Sequence, residues 1–387
     1  MIDSWYICRA TSILKTLQKK SVLLLGPRRT GKSCLIRNEL KPDKVYNLLN
    51  SVTFRDLAIR PSLIREQLEP STQFIVIDEV QKLPSLLDEV HLMIEEHGIR
   101  FLLTGSSARK LRRSYTSLMA GRARRQFLFP LTAQELGTKF DLKRALLYGT
   151  LPSVYLADDP WDELKSYVGD YLREEIVAEA LSRNIESFAR FLQTAAISNG
   201  EILNFEKIAL DAQVPARTIR EYYSILEDTL IGTMVQPFRP KKGRKAVAKA
   251  KFYFFDLGVL NSLLERKSIS PKTTEFGGLF ETWVFLELRA YLEYHKKDES
   301  LSFWRTQTGE EVDFVVGSQE EEQIAIEVKS TPHIAERHLG GLKVLAEEVP
   351  LKNKYIVSLD SEYRKISDIE ILPYILFVEK LWNGELI

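Results

Sequence analysis

The chain has 387 residues, 44% hydrophobic and 28% charged, enough for two or three domains with real cores. Its 54 Lys and Arg balance 53 Asp and Glu to a formal charge of +1, so whole-chain charge decides nothing about a nucleic-acid partner and local clusters must. Two cysteines, Cys8 and Cys34, exclude a disulfide framework and show no metal-binding spacing.

The opening MIDSWYICRATSILK carries Asp3 and no long apolar run, so no secretory signal is expected. No stretch approaches about 18 uninterrupted apolar residues, so no membrane span is expected either. A cytoplasmic location follows.

From Ser21 to about Pro130 short apolar runs alternate with helical patterns. SVLLLG, QFIVID and IRFLLTG each end in Gly or Asp and read as strands of a parallel sheet buried on both faces. SCLIRNEL and SLLDEVHLMIEEHG between them read as helices. From Leu131 to Arg239 the periodicity is helical, punctuated by Pro152, Pro160 and Pro215. From Lys251 onward the pattern is mixed. KFYFFDLGVLNSLL leads to a long helix, GGLFETWVFLELRAYLEYH, then to strands SFWRT, EVDFVVG, QIAIEVKS and NKYIVSL.

GPRRTGKS, residues Gly26, Pro27, Arg28, Arg29, Thr30, Gly31, Lys32 and Ser33, fits the P-loop pattern between a strand and a helix. Glycines let successive N–H groups turn toward phosphates, and the helix N-terminus adds positive charge. Lys32 is expected on the β- and γ-phosphates of ATP and Ser33 on Mg²⁺. Cys34 follows as a small residue in the first helical turn. In FIVIDEVQKLP a strand ends in Asp78, expected to hold Mg²⁺ through water, and Glu79, expected to polarise the attacking water. In FLLTGSSARKL the strand ends in Thr104, with Ser106 and Ser107 beyond it. A hydroxyl here contacts the γ-phosphate or orients the water, and Ser106 is the candidate.

Residues 109–125 carry seven basic side chains and no acid. Arg122 is the candidate arginine finger, and if it acts across a subunit boundary the active form is a homo-oligomer. A solvated basic face is the competing reading.

LNFEKIALDAQVPARTIREYYSILEDT has the shape of a helix-turn-helix. Asn204 caps the first helix, Val214 sits in the turn and Pro215 starts the second helix. Arg217, Thr218 and Arg220 would meet the major groove of DNA. Segment 239–251, with Arg239, Lys241, Lys242, Arg244, Lys245, Lys249 and Lys251, would be a wing that neutralises phosphates. Glu221, Glu227 and Asp228 oppose that role, and a packing or switching module is the alternative.

On the C-terminal strands, alternation places Asp313 and Val315 on one face, and Ala325, Glu327 and Lys329 on one face. If the strands pair, Asp313, Glu327 and Lys329 cluster as D-x(13)-E-x-K, the core of the PD-(D/E)xK nuclease pattern. The two carboxylates would hold a second Mg²⁺ or Mn²⁺ and Lys329 would stabilise charge on the scissile phosphate. Glu281 on the long helix resembles the acid that completes such sites. The alternative is a retained fold whose carboxylates pair with Lys329. The five histidines show no metal spacing, and Trp283 and Phe285 read as core.

Together GPRRTGKS, IDEVQKLP, LLTGSS and LMAGRARRQFLFPLTAQE resemble the prokaryotic AAA-type P-loop ATPases that carry a C-terminal domain of long-unassigned function. LLYGTLPSVYL, YVGDYLREEI, KFYFFDLGVLNSLL, GLFETWVFLEL and FWRTQTGEEVDFVV…IAIEVKS extend the likeness over residues 8–350. The resemblance implies an α/β AAA-type P-loop NTPase core with a parallel sheet (1–130) and a helical lid (131–184). It further implies a winged-helix module (185–250) and a restriction-endonuclease-like α/β domain (251–387). The expected function is Mg²⁺-dependent ATP hydrolysis coupled to a nucleic-acid-directed module, extending to metal-dependent DNA cleavage. The alternative is an ATP-driven switch or scaffold with an inactive nuclease-like fold. The lid lacks an unambiguous second sensor arginine.

Overall fold

A computed structural model describes residues 6–107, 121–172, 185–240, 247–317 and 322–387. The chain divides into two compact units. Unit 1 comprises Met1–Leu131 with Asp228–Ile231 and Glu293–His295, and unit 2 comprises Thr132–Glu227, Gly232–Leu292 and Lys296–Ile387.

In unit 1, β1 (Ser21–Leu25), β2 (Lys44–Asn47), β3 (Phe74–Asp78), β4 (Arg100–Gly105) and β5 (Ala123–Phe127) form a parallel sheet in the order β2-β3-β4-β1-β5. Its central strands β1, β3 and β4 are mostly apolar because both faces are covered. Val22, Leu24, Val76 and Leu102 pack on α1 (Ile13–Leu17) and α2 (Lys32–Glu39). Leu23, Leu25, Ile75, Ile77 and Leu103 turn the other way, against α3 (Ser51–Ile59), α4 (Leu63–Glu66) and α5 (Leu86–His97).

β5 departs from expectation. Residues 123–127, of which 123–125 were read from sequence as part of a basic stretch, pair with β1 along its whole length. Only Gln126 is buried, so the strand carries too few apolar residues to be legible by alternation.

Unit 2 opens with short helices: α6 (Ala133–Leu136), α7 (Leu142–Tyr148), α8 (Pro152–Tyr155) and α9 (Pro160–Ser166). Thr132 starts α6 with a reciprocal capping box to Glu135. α10 (Ile185–Ile197), α11 (Phe205–Ala212) and α12 (Ala216–Asp228) follow. Asn204 Oδ1 caps α11 by accepting from Lys207 N–H at 3.3 Å, Val214 is buried in the turn, and α12 begins directly after Pro215. A two-stranded ribbon, β6 (Gly232–Val235) and β7 (Lys251–Phe254), completes this module.

α13 (Leu257–Leu263) packs on α7. The buried Asn261 amide donates to the carbonyls of Leu146 and Leu147 at 2.8 and 2.9 Å, satisfying carbonyls that the end of α7 leaves open. After α14 (Thr274–His295) comes a mixed six-stranded sheet ordered β12-β13-β11-β10-β9-β8. Its strands are β8 (Leu301–Arg305), β9 (Glu311–Val316), β10 (Gln323–Lys329), β11 (Leu351–Ser358), β12 (Arg364–Ile366) and β13 (Ile369–Pro373). α15 (Gly340–Glu348) and α16 (Tyr374–Trp382) complete the unit. Leu342 and Leu345 of α15 share a core with Val312, Val315, Ala325 and Ile356. Trp283 and Phe285 of α14 are core residues, as read from sequence. No described helix is long and apolar enough to cross a membrane.

Candidate functional site

The sheet order of unit 1 places β4 between β1 and β3, so three functional strand ends lie side by side. Leu24 pairs with Thr104 and Leu25 with Gly105, while Ile77 pairs with Leu103. The loop after β1, the acids after β3 and the hydroxyls after β4 therefore share the carboxyl edge of the sheet, where open α/β folds bind ligands.

The loop turns through Arg29 (φ 58°) and Gly31 (φ 95°) into α2, whose first residue is Lys32. Gly26 is required for space. A Cβ there would stand 2.4 Å from the Leu128 carbonyl oxygen. Thr30 Oγ1 donates to Pro27 O at 2.8 Å and closes the turn. Lys32 Nζ lies back over the loop, donating to Gly26 O at 2.7 Å and Pro27 O at 3.0 Å. Cys34 is half-buried in the first turn of α2, and neither cysteine is oxidised to a disulfide.

Ser33 Oγ donates to Asp78 Oδ2 at 3.2 Å, which brings the two expected magnesium ligands together. Thr104 Oγ1 donates to the other Asp78 oxygen and accepts the Glu79 N–H at 3.1 Å. Glu79 has left-handed backbone (φ 63°), and its carboxylate accepts from Gln81 Nε2. Gln81 also donates to Ser106 Oγ at 3.1 Å. Thr104 is the strand-end hydroxyl that touches Asp78, while Ser106, the candidate from sequence, lies beside Gln81 and Glu79.

Two residues here escaped sequence reading. Gln81 is buried beside Glu79, and Arg9 braces the loop from 21 residues upstream. The Arg9 guanidinium donates to Thr30 O at 2.7 Å and to Phe129 O at 2.7 Å. Neither has a motif, because each acts through space.

Arg122 is not brought to this site within its own unit. It precedes β5, whose first residue pairs with Ser21 at the amino edge of the sheet. The P-loop follows the other end, a strand length of about 16 Å away. Arg122 is ion-paired with Glu95 of α5. The remaining basic residues 109–120 lie outside the described ones.

Unit 2 holds the second cluster. β9 and β10 do pair, antiparallel, but their ladder ends at Ile326–Phe314. Beyond it Asp313 Oδ2 accepts the Val328 N–H at 2.7 Å. Glu327 is ion-paired with Lys329. The expected alternation of β9 fails. Between Ser302–Val315 and Trp304–Val312, β8 advances two residues and β9 three. Val312 and Val315 consequently share one apolar core, and the irregularity falls at Asp313–Phe314.

Glu281, expected as the completing acid, is held by other residues. Its Oε1 accepts from Tyr253 OH at 2.6 Å and Lys251 Nζ at 3.1 Å. The same ammonium meets Glu311 at 2.7 Å and lies 5.3 Å from the Phe303 ring centroid. Lys251, read from sequence as part of a DNA-facing wing, is only 3% exposed. Lys241, Lys242, Arg244 and Lys245 lie outside the described residues, and Lys249 is exposed.

Burial raises the Asp313 carboxyl well above its usual range, with Glu327 and Glu281 adding to the shift. Burial also raises Glu327, against the pull of Lys329. At Lys251 burial opposes the charge, but Glu281, Tyr253, Asp313 and Glu311 overcome it and hold the ammonium protonated.

The strand order and the loop geometry are those of a P-loop nucleotide-binding fold. Residues 18–137 match the family model of the AAA domain. The N-terminal unit is therefore AAA-like. Residues 139–270 and 276–377 match two families described as domains of unknown function, DUF8612 and DUF4143. An uncharacterized Haemophilus influenzae protein is 24% identical, covering 90% of this chain and 92% of its own. The uncharacterized protein MJ1544 of Methanocaldococcus jannaschii is 23% identical, covering 93% and 88%. Among solved structures, the Aeropyrum pernix ORC1 protein in complex with DNA aligns at a TM-score of 0.29 and 15% identity, over 68% of this chain and 94% of that one. The replication initiator DnaA bound to AMPPCP and single-stranded DNA aligns at 0.30 and 12%, over 57% and 90%.

The donor set of the AAA-like unit fits a magnesium-bound triphosphate. A hydroxyl and a carboxylate oxygen meet beside an amide-lined turn, and an ammonium rests on main-chain carbonyls that an anion can outbid. The cluster in unit 2 does not fit a divalent cation in this way. Among the described residues no group of three His, Cys, Asp or Glu is arranged to hold a metal. Two of its carboxylates already share the Lys251 ammonium.

Proposed function

We propose that the AAA-like unit binds ATP with Mg²⁺ and hydrolyses it, and that this cycle drives the rest of the chain as a switch. The observation that supports it is the chain of contacts from Ser33 through Asp78 to Thr104 and Glu79, which joins all three strand ends. Ser33 and Asp78 would hold the cation, which neutralises charge on the phosphate oxygens when bound. The N–H groups of Pro27–Ser33 other than proline's would cradle the phosphates, and Lys32 would leave the loop carbonyls for the terminal phosphate. Glu79 would orient the attacking water and take its proton, held meanwhile by Gln81 and Ser106.

Lys32→Ala is expected to lose binding of Mg·ATP, and Glu79→Gln to keep binding while turnover falls by about 10²-fold or more. Titration with a fluorescent ATP analogue and a phosphate-release assay read the two effects. Undiminished binding by Lys32→Ala would refute the reading.

Unit 2 admits two roles. Asp313, Glu327 and Lys329 are adjacent, as metal-dependent DNA cleavage would need. The buried Lys251, ion-paired with the neighbouring Glu281 and Glu311, favours the other role, an inactive nuclease-like fold in a nucleotide switch. DNA contact through Arg217, Thr218 and Arg220 is supported by the exposure of both arginines on α12. It is opposed by their ion pairs, Arg217–Glu221 at 3.6 Å and Arg220–Glu206 at 3.2 Å.

A further inference from the structure

The carboxylates of unit 2 come from three elements: Glu281 from α14, Glu311 and Asp313 from β9, and Glu327 from β10. A buried cluster of this kind needs a cation or bound protons. The chain supplies a cation from a fourth element. Residues 251 and 253 alternate on one face of β7, and both side chains reach Glu281. Lys251 Nζ continues to Glu311, which also accepts from Arg305 at 3.0 Å. Lys329 is ion-paired with Glu327.

The ammonium is not a surface side chain that strayed inward. Its backbone is fixed in the ribbon, pairing with Val235 and, at a single bridge, with Ile202. The segments flanking the ribbon are tied to β8. Phe238 N–H donates to Phe303 O at 2.6 Å and Val247 N–H to Arg305 O at 2.9 Å. Four main-chain attachments therefore aim one buried cation at the acids, and none of them involves unit 1.

We infer that the Lys251 ammonium is the resident counter-ion of this cluster, standing in for the divalent cation that a nuclease of this pattern would carry, and fastening the β6–β7 ribbon to the sheet. The chain as folded does not load a metal at Asp313 and Glu327. Removing the ammonium leaves Glu281, Asp313 and Glu327 with excess negative charge and turns them into a divalent-cation site. This holds whether or not the AAA-like unit hydrolyses ATP, so the test uses nucleotide-free protein.

Mn²⁺ binding to the full chain is measured from the loss of free-ion paramagnetic resonance signal. Wild type and Asp313→Asn are expected to bind Mn²⁺ alike, because neither uses these carboxylates. Lys251→Met is expected to gain about one equivalent bound at least an order of magnitude more tightly than any site in wild type, since a buried uncompensated acid cluster recruits a cation. Adding Asp313→Asn to it should abolish the gain. If circular dichroism shows Lys251→Met unfolded, Lys251→Gln, which removes the charge but keeps a hydrogen-bond donor for Glu281, carries the same comparison. A wild-type Mn²⁺ site that Asp313→Asn loses overturns the inference, and so does a folded variant without Lys251 that gains no site. The wild-type comparison decides in either direction if neither variant folds.

Discussion

Glu287 shows how much a single side chain owes to its surroundings. It lies on α14, and its two oxygens accept from Ala133 N–H at 2.7 Å and Trp382 Nε1 at 3.0 Å. Burial raises its pKa to about 7, and burial likewise raises Asp256 to about 6. A carboxyl raised on folding binds more protons in the native state than in the unfolded chain. Its contribution is complete below the unfolded value of about 4.3 and fades as pH climbs through about 7. For Glu287 that amounts to roughly 4 kcal/mol, at about 1.4 kcal/mol per pH unit. Wild type is therefore expected to lose stability relative to Glu287→Gln between about pH 5 and 7.5, read from urea midpoints across that range. Parallel profiles for the two proteins would disprove the assignment. Nothing in ETWVFLELRAY marks position 287 as special, because its partners lie 154 and 95 residues away. Lys32, Ser33 and Asp78 were legible because their chemistry requires fixed spacing against a strand and a helix. Arg9, Gln81, Lys251 and Tyr253 were not, since through-space partners leave no periodic trace.

At the scale of elements, sequence pattern served best where one force dominated. β1, β3 and β4 are continuous apolar runs because both sheet faces are buried, and the capped helix-turn-helix of α11 and α12 follows from Asn204, Val214 and Pro215. β5 was hidden by its arginines, and β9 broke alternation at Asp313 through a register shift set by its neighbour β8. Packing between α7 and α13 depends on a close approach of the same unreadable kind. A Cβ on Gly258 would stand 2.0 Å from the Tyr148 carbonyl oxygen. Backbone cannot yield as a flexible side chain can, so Gly258→Ala should force α13 from α7 and cost about 1–3 kcal/mol. Chemical denaturation measures this, and a loss no greater than that of Gly278→Ala, where nothing lies within 4 Å, would contradict it.

For the molecule as a whole, the position of Arg122 sets the constraint. At the amino edge of its own sheet it has no route to its own P-loop, so a finger role requires a second copy of the chain. If so, Arg122→Ala and Lys32→Ala proteins, each deficient in turnover alone, should recover phosphate release when mixed, because one mixed interface pairs an intact loop with an intact arginine. A mixture no more active than its components would remove Arg122 from the site.

The amino-acid sequence by itself determined the P-loop, its acidic strand partner, the apolar strands of the parallel sheet and the helix-turn-helix. Each of these rests on local spacing, which repeats with the period of a strand or a helix. Only tertiary structure decided that Thr104 bridges Asp78 and Glu79, that Arg122 sits at the amino edge of its sheet, and that Lys251 meets Glu281 and Glu311. Those outcomes depend on which strands become neighbours and where a buried charge finds its opposite, and neither is encoded within any single stretch of chain.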